Sequence, residues 1–108
     1  MSKNTFLEFS PKTRKIIKER DGGCIFCQYA GYSGFPPTQI MHYIPRSRMG
    51  MGIEENGAYG CAKHHQELDN GMKSMPMKKY FKEYLKSKYP DWDETKLIYS
   101  KWGFIGGK

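Results

Sequence analysis

Two short ligand pairs of equal spacing constrain this chain more than anything else in it. Cys24 and Cys27 enclose Ile25-Phe26, and Cys61 and His64 enclose Ala62-Lys63. Each pair can point two soft ligands at one ion, and together they form a Cys3His set, a known closed tetrahedral zinc combination. The pairs are far apart in sequence, so one ion would tie the first to a later helix. A domain of 108 residues buries a modest fraction of its surface and gains from such a staple. The ion's binding energy would then be folding energy. The rival reading is three buried cysteines with no metal. A redox CxxC would be expected to open a helix within a βαβ pattern. Here Gly22-Gly23 precedes the pair, and the aromatic, glycine-rich stretch YAGYSGFPP (29–37) follows it.

Three cysteines cannot all pair as disulfides, and the metal set leaves none over. The opening MSKNTFLEF lacks the basic-then-apolar order of a secretory signal, so a reducing, cytoplasmic setting is expected. No apolar run approaches membrane-spanning length. The formal charge of +7 favours a polyanionic partner, because each Lys or Arg placed near a phosphate releases counterions. Aromatic residues make up 15% of the chain and can serve as core or as base-stacking surface; in a small domain core is the commoner use.

Taken in order, residues 1–9 read as an arm whose Phe6, Leu7 and Phe9 fold back on the core. Ser10-Pro11 is an N-cap followed by a first-turn proline, and a helix runs from Pro11 to about Asp21. Ile16 and Ile17 face inward, while Lys12, Arg14, Lys15, Lys18 and Arg20 make a basic outer face. Gly22 ends this helix. Thr38–Ile44 has the β-branched and aromatic content of a short strand, with Ile40, His42 and Ile44 on one side and Met41 and Tyr43 on the other. Pro45 ends it. The loop PRSRMGMG follows, and its Arg46 and Arg48 offer forked phosphate contacts. Ile53–Gly60 is expected to hold a short helical turn, with Asn56 near its end and Gly57 just after. Cys61–Asn70 reads as a helix closed by Gly71, on which His65 and Asp69 share a face at a spacing that lets both reach one ion. A helix over Ser74–Tyr89 buries Met77, Tyr80, Phe81, Tyr84 and Leu85, with lysines including Lys78 outside. Asp91 and Glu94 fit a capping box for a last helix that runs to about Trp102 and packs through Leu97, Ile98 and Trp102, before a frayed GFIGGK end.

The zinc-type pairs leave His42, Asn56 and His65. Their order matches the HNH endonuclease motif, and so do their intervals, fourteen residues and then nine. The string CIFC…MHYIPRSRMG…EENGAYGCAKHH resembles the zinc-knuckle branch of that family. His64 stands where the family usually has its fourth cysteine, and zinc accepts either residue. The resemblance covers roughly residues 17–71 and does not include the tail. It implies an α+β fold with a ββα-metal core, a structural zinc knuckle and flanking helices, in a single domain of residues 1–108 with a helical extension over 74–102. It further implies that His42 is the general base that activates water, that Asn56 orients it by holding the loop, and that His65 binds a catalytic divalent ion. Asp69 would be a second ligand or partner, and Arg46 or Arg48 would clamp a phosphate.

Met41 departs from the pattern, since the family often has an acidic residue or a second histidine there as a metal ligand. A thioether is a poor ligand for magnesium. The ion would then rest on His65, Asp69, water and substrate phosphate, with manganese, nickel or zinc as alternatives to magnesium. The expected function is metal-dependent hydrolysis of DNA phosphodiester bonds, nicking or cutting duplex. Partners compatible with it are DNA, a second copy of the chain, and phage packaging or restriction components. Two rivals stand beside it: a catalytically inactive, zinc-stabilised nucleic-acid-binding module, for which Met41 is the best support, and a protein-interaction domain using the aromatic tail helices.

Overall fold

Ser10 and Gly22 bound the first helix, α1 (Pro11–Asp21). The Ser10 hydroxyl accepts from the Thr13 backbone N–H, Pro11 takes the position where no amide partner is needed, and Gly22 closes the end in the left-handed region with φ 71°. The computed structural model describes residues 6–31, 37, 39–71 and 74–99. Further elements are α2 (Ile25–Tyr29), β1 (Gln39–His42), β2 (Gly57–Gly60), α3 (Ala62–Asn70) and α4 (Ser74–Lys88), with 3-10 turns at Arg46–Arg48, Glu54–Asn56 and Glu94–Leu97. The fold is a small α+β arrangement: a two-stranded antiparallel sheet with helices packed around it. No helix among the described residues is long and apolar enough to cross a membrane.

The two strands pair with Gln39 opposite Gly60 and His42 opposite Gly57. The helical turn expected within 53–60 is the 3-10 turn Glu54–Asn56, with Asn56 at its end, and residues 57–60, to which the sequence assigns no strand, form β2. Glycine is there for close approach rather than for bending. A Cβ on Gly57 would lie 2.6 Å from the Phe9 ring and 2.9 Å from Ile17 Cδ1. One side of the sheet thus meets α1 and the arm in a small cluster of Phe9, Ile17 and Ile40. The other side meets the main core, where Met41, Cys61, Leu68, Phe81 and Leu85 pack with Ile25 and Phe26.

β1 is shorter than the expected strand. It stops at His42, Ile44 turns into the main core instead of sharing a side with Ile40 and His42, and Thr38 lies outside the described residues. Leu7 and Phe9 are buried as the arm reading expected, while Phe6 is largely exposed and stacks on Tyr99 at 5.0 Å. Residues 1–5 of the arm, and 32–36 of the YAGYSGFPP stretch, lie outside the described residues. α4 matches its expected span and buries Phe81 and Leu85, with Met77, Tyr80 and Tyr84 partly covered.

The C-terminal expectation needs correction. In place of a last helix there is the 3-10 turn Glu94–Leu97, capped by Asp93 rather than Asp91, with the Asp93 carboxylate accepting from the Thr95 N–H. Leu97 is buried and Ile98 exposed, its backbone bridging to Gly50. Trp102 and the GFIGGK end lie outside the described residues.

Two cations assigned to outer faces turn out to be inside. Arg20 donates to both Asp21 carboxylate oxygens, at 2.5 and 2.9 Å, and to the carbonyls of Glu54 and Gly57. Asp21 also accepts from Tyr84 Oη and the Tyr59 N–H. This buried pair ties α1, β2 and α4 together. Lys78 is half-buried, donates to the Tyr43 carbonyl and lies 4.9 Å from the Tyr43 ring centroid; burial pulls its pKa down.

Candidate metal centre and active site

Cys24 is the N-cap of α2 and Cys61 the N-cap of α3, and each caps in the same way. Cys24 Sγ accepts from the Cys27 N–H at 3.5 Å, and Cys61 Sγ accepts from the His64 N–H at 3.4 Å. Capping turns each first ligand back toward the fourth residue of its own pair, so both pairs converge. The Cys24–Cys27 pair therefore opens a helix, although among the described residues no βαβ unit surrounds it. His64 Nδ1 lies 3.5 Å from Cys24 Sγ and 3.3 Å from both Cys27 Sγ and Cys61 Sγ. Cys27 Sγ and Cys61 Sγ are 3.9 Å apart, and all four ligand atoms fall within 4.8 Å of one another. Zn–S bonds of about 2.3 Å at tetrahedral angles require S···S edges of about 3.8 Å. The donor set fits.

The chemistry of the set fits as well. The three cysteines are free and buried. Burial first, then the Cys24 and Cys61 sulfurs, push the Cys27 thiol up to about 12. A cation at the centre removes that penalty and stabilises the thiolates. The set can hold a metal ion such as zinc. Four protein ligands leave no open position on it for chemistry.

The other polar residues lie around the hairpin. Asn56 is fully buried. Its Oδ1 accepts from the Ile44 N–H at 2.8 Å, and its Nδ2 donates to the carbonyls of Ile44 and Met51 at 3.1 and 2.8 Å. The loop leaving β1 is thus locked to the residue that opens β2. Gly50 permits the lock, since a Cβ there would lie 1.7 Å from the Ile44 carbonyl oxygen.

His42 ends β1 on the side of Ile40, half-buried, its ring 4.3 Å from that of Phe9. Its Nε2 is 2.7 Å from the Leu7 carbonyl oxygen. A carbonyl only accepts, so Nε2 carries a proton and the neutral ring keeps its lone pair on Nδ1. Burial lowers the His42 pKa below 6.5; the Leu7 bond opposes this, and Arg46, His65 and Arg14 add to it. Arg46 and Arg48 are exposed on their 3-10 turn. Arg46 pairs with Glu8 at 3.5 Å.

His65 lies on α3, and its Nδ1 meets Gln39 Oε1 of β1. Its Nε2 is 3.4 Å from Asp69 Oδ2. Met41, between Gln39 and the main core, has no exposed surface. Among the described residues no third His, Cys, Asp or Glu joins His65 and Asp69.

The structure therefore assembles the Cys3His set, brings His65 beside Asp69 and pins Asn56 at the exit of β1. It holds His42 and His65 on different partners. Sequence reasoning missed Gln39 and the Leu7 carbonyl. A backbone oxygen carries no sequence signal, and the only hint for Gln39 was its place on the Met41 side of the strand. No protein-family model matches the chain, and searches of curated proteins and of solved structures find no match either.

Proposed function

We propose that the protein is a metal-dependent HNH-type endonuclease acting on DNA, with a ββα-metal core built on the hairpin and α3. The observation that carries the reading is the arrangement along β1, β2 and α3. His42 ends the first strand, Asn56 locks the loop before the second, and His65 with Asp69 sits on the helix that follows. The Cys3His set, read as structural zinc, holds that helix to the chain's N-terminal part.

In this reading the neutral His42 takes a proton from water at Nδ1, while its Nε2–H stays on the Leu7 carbonyl. The hydroxide so formed attacks phosphorus in line; the opposite P–O bond breaks and the leaving oxygen takes a proton from solvent. Asn56 keeps the His42 backbone in place through the loop. His65 Nε2 and Asp69 would hold a divalent ion, which when bound stabilises charge on the leaving oxygen. Two protein ligands suffice for magnesium or manganese, which keep several waters and use substrate phosphate. Arg48, exposed and without an ion pair among the described residues, can meet a neighbouring phosphate, and Arg46 can do so on leaving Glu8.

The test is cleavage of supercoiled plasmid with magnesium, manganese, nickel or zinc added to the zinc-loaded protein. The wild type should nick or linearise with at least one ion. His42→Ala, equally folded, should be slower by about 100-fold or more, the usual worth of a positioned base. An intact plasmid with every ion would sink the enzyme reading.

A second reading, nucleic-acid binding without cleavage, draws on the burial of Met41 and the two-ligand His65–Asp69 pair. Under it, DNA binds, no ion supports cutting, and His42→Ala changes nothing.

A further inference from the structure

The His65 imidazole is held between two oxygen-bearing side chains. Asp69 Oδ2 faces Nε2 at 3.4 Å, and Gln39 Oε1 meets Nδ1. Asp69 is the i+4 neighbour on the same helix, while Gln39 comes from β1. An amide oxygen only accepts, so this contact puts a proton on Nδ1 and leaves Nε2, whose lone pair an ion can take, facing Asp69. The distance between Nε2 and Oδ2 suits two ligands of one ion. Bonds of about 2.1 Å give an N···O edge of about 3.0 Å at octahedral and 3.4 Å at tetrahedral angles. Met41 is fully buried and offers the ion nothing. Gln39 is two residues earlier on the same side of the strand, so β1 still contributes to the site, through His65 rather than by direct ligation.

We infer that Gln39 is a positioning residue for a divalent-ion site made by His65 Nε2 and Asp69: it sets the tautomer and the ring orientation that let both ligands face one ion. The inference rests on the assignment of His65 and Asp69 to an ion in the nuclease reading. Outer partners of this kind change metal affinity by about 10–100-fold when removed.

Two readouts independent of catalysis test it. Long-range proton–nitrogen NMR on the zinc-loaded protein, without a second ion, should find a proton on His65 Nδ1 in the wild type. Calorimetry with Mn2+ alone should give binding that is lost in His65→Ala and weakened about 10–100-fold in Gln39→Leu, with near wild-type affinity in Gln39→Glu, whose carboxylate also accepts. An unprotonated Nδ1 in the wild type, absence of Mn2+ binding, or equal Mn2+ affinity in Gln39→Leu would overturn the inference. The NMR measurement needs no variant, so a folding defect in Gln39→Leu leaves it decisive. Failure of the nuclease reading looks different: the wild type binds Mn2+ with Gln39 dependence yet leaves plasmid intact.

Discussion

The proton on His42 resides at Nε2 because its partner there, the Leu7 carbonyl, has nothing to donate. Burial makes the charged ring costly, and the nearby Arg46 and Arg14 add to that cost. The folded protein therefore prefers the neutral ring more than the unfolded chain does. Stability from this group is fully present above pH 6.5, the unfolded value, and is lost as pH falls through the lower folded value. Urea titrations from pH 8 to 5 should show wild type losing stability below pH 6.5 more steeply than His42→Ala. By the same sign, a base with a lowered pKa keeps its lone pair in mildly acidic buffer, so the acid limb of the cleavage profile should fall below pH 6.5. The Arg20–Asp21 pair makes the largest single-residue prediction. Asp21→Ala leaves a buried guanidinium and the Tyr84 hydroxyl without their acceptor, and should cost about 3–5 kcal/mol in chemical denaturation.

At the scale of elements, β2 exists because small residues let it slide between two packed layers. Gly57→Ala forces a methyl against the Phe9 ring and Ile17, and should cost about 1–3 kcal/mol of overpacking. Cleavage should suffer too, because the Phe9 ring packs against that of His42 at a tilt. This strand was hidden in the sequence for the same reason: a GAYG run has the composition of a turn, and only its neighbours make it a strand. α1, α3 and α4 were legible because capping residues and apolar spacing are local signals. The arm was legible from Leu7 and Phe9, which are buried, while Phe6 is exposed against Tyr99. The 3-10 turn at Glu94–Leu97 was not, since a cap at Asp93 and one at Asp91 look alike without the packing of Leu97 beneath. Arg20 and Lys78 failed for a related reason. A helical wheel assigns lysine and arginine outward, and their actual partners, the Asp21 carboxylate and the Tyr43 carbonyl, depend on tertiary structure.

For the whole molecule, the metal set joins α2 to α3 and so couples the chain's first third to the hairpin's helix. The ligand pairs were readable because four soft donors at matched spacing have few other uses, and their convergence through two cysteine N-caps explains why the spacing works. The surroundings of His42 and His65 were readable only in part, because Leu7 lies outside the motif and nothing in the strand pattern marks Gln39 as the partner of His65. The charge of +7 predicts that DNA affinity falls steeply with salt, linearly in a double-logarithmic plot, with phosphate contacts setting the slope. The central claim is a division of labour: one ion holds the fold in a closed Cys3His set, and another works at His65 and Asp69. Graded chelation measures this most directly, with circular dichroism and plasmid cleavage followed on the same samples. The account predicts that mild chelation abolishes cleavage while the fold persists, that added manganese restores cutting, and that the fold collapses only when zinc is stripped under stronger conditions. Loss of cleavage and fold together at one chelator concentration would contradict it, as would cleavage that survives until the protein unfolds.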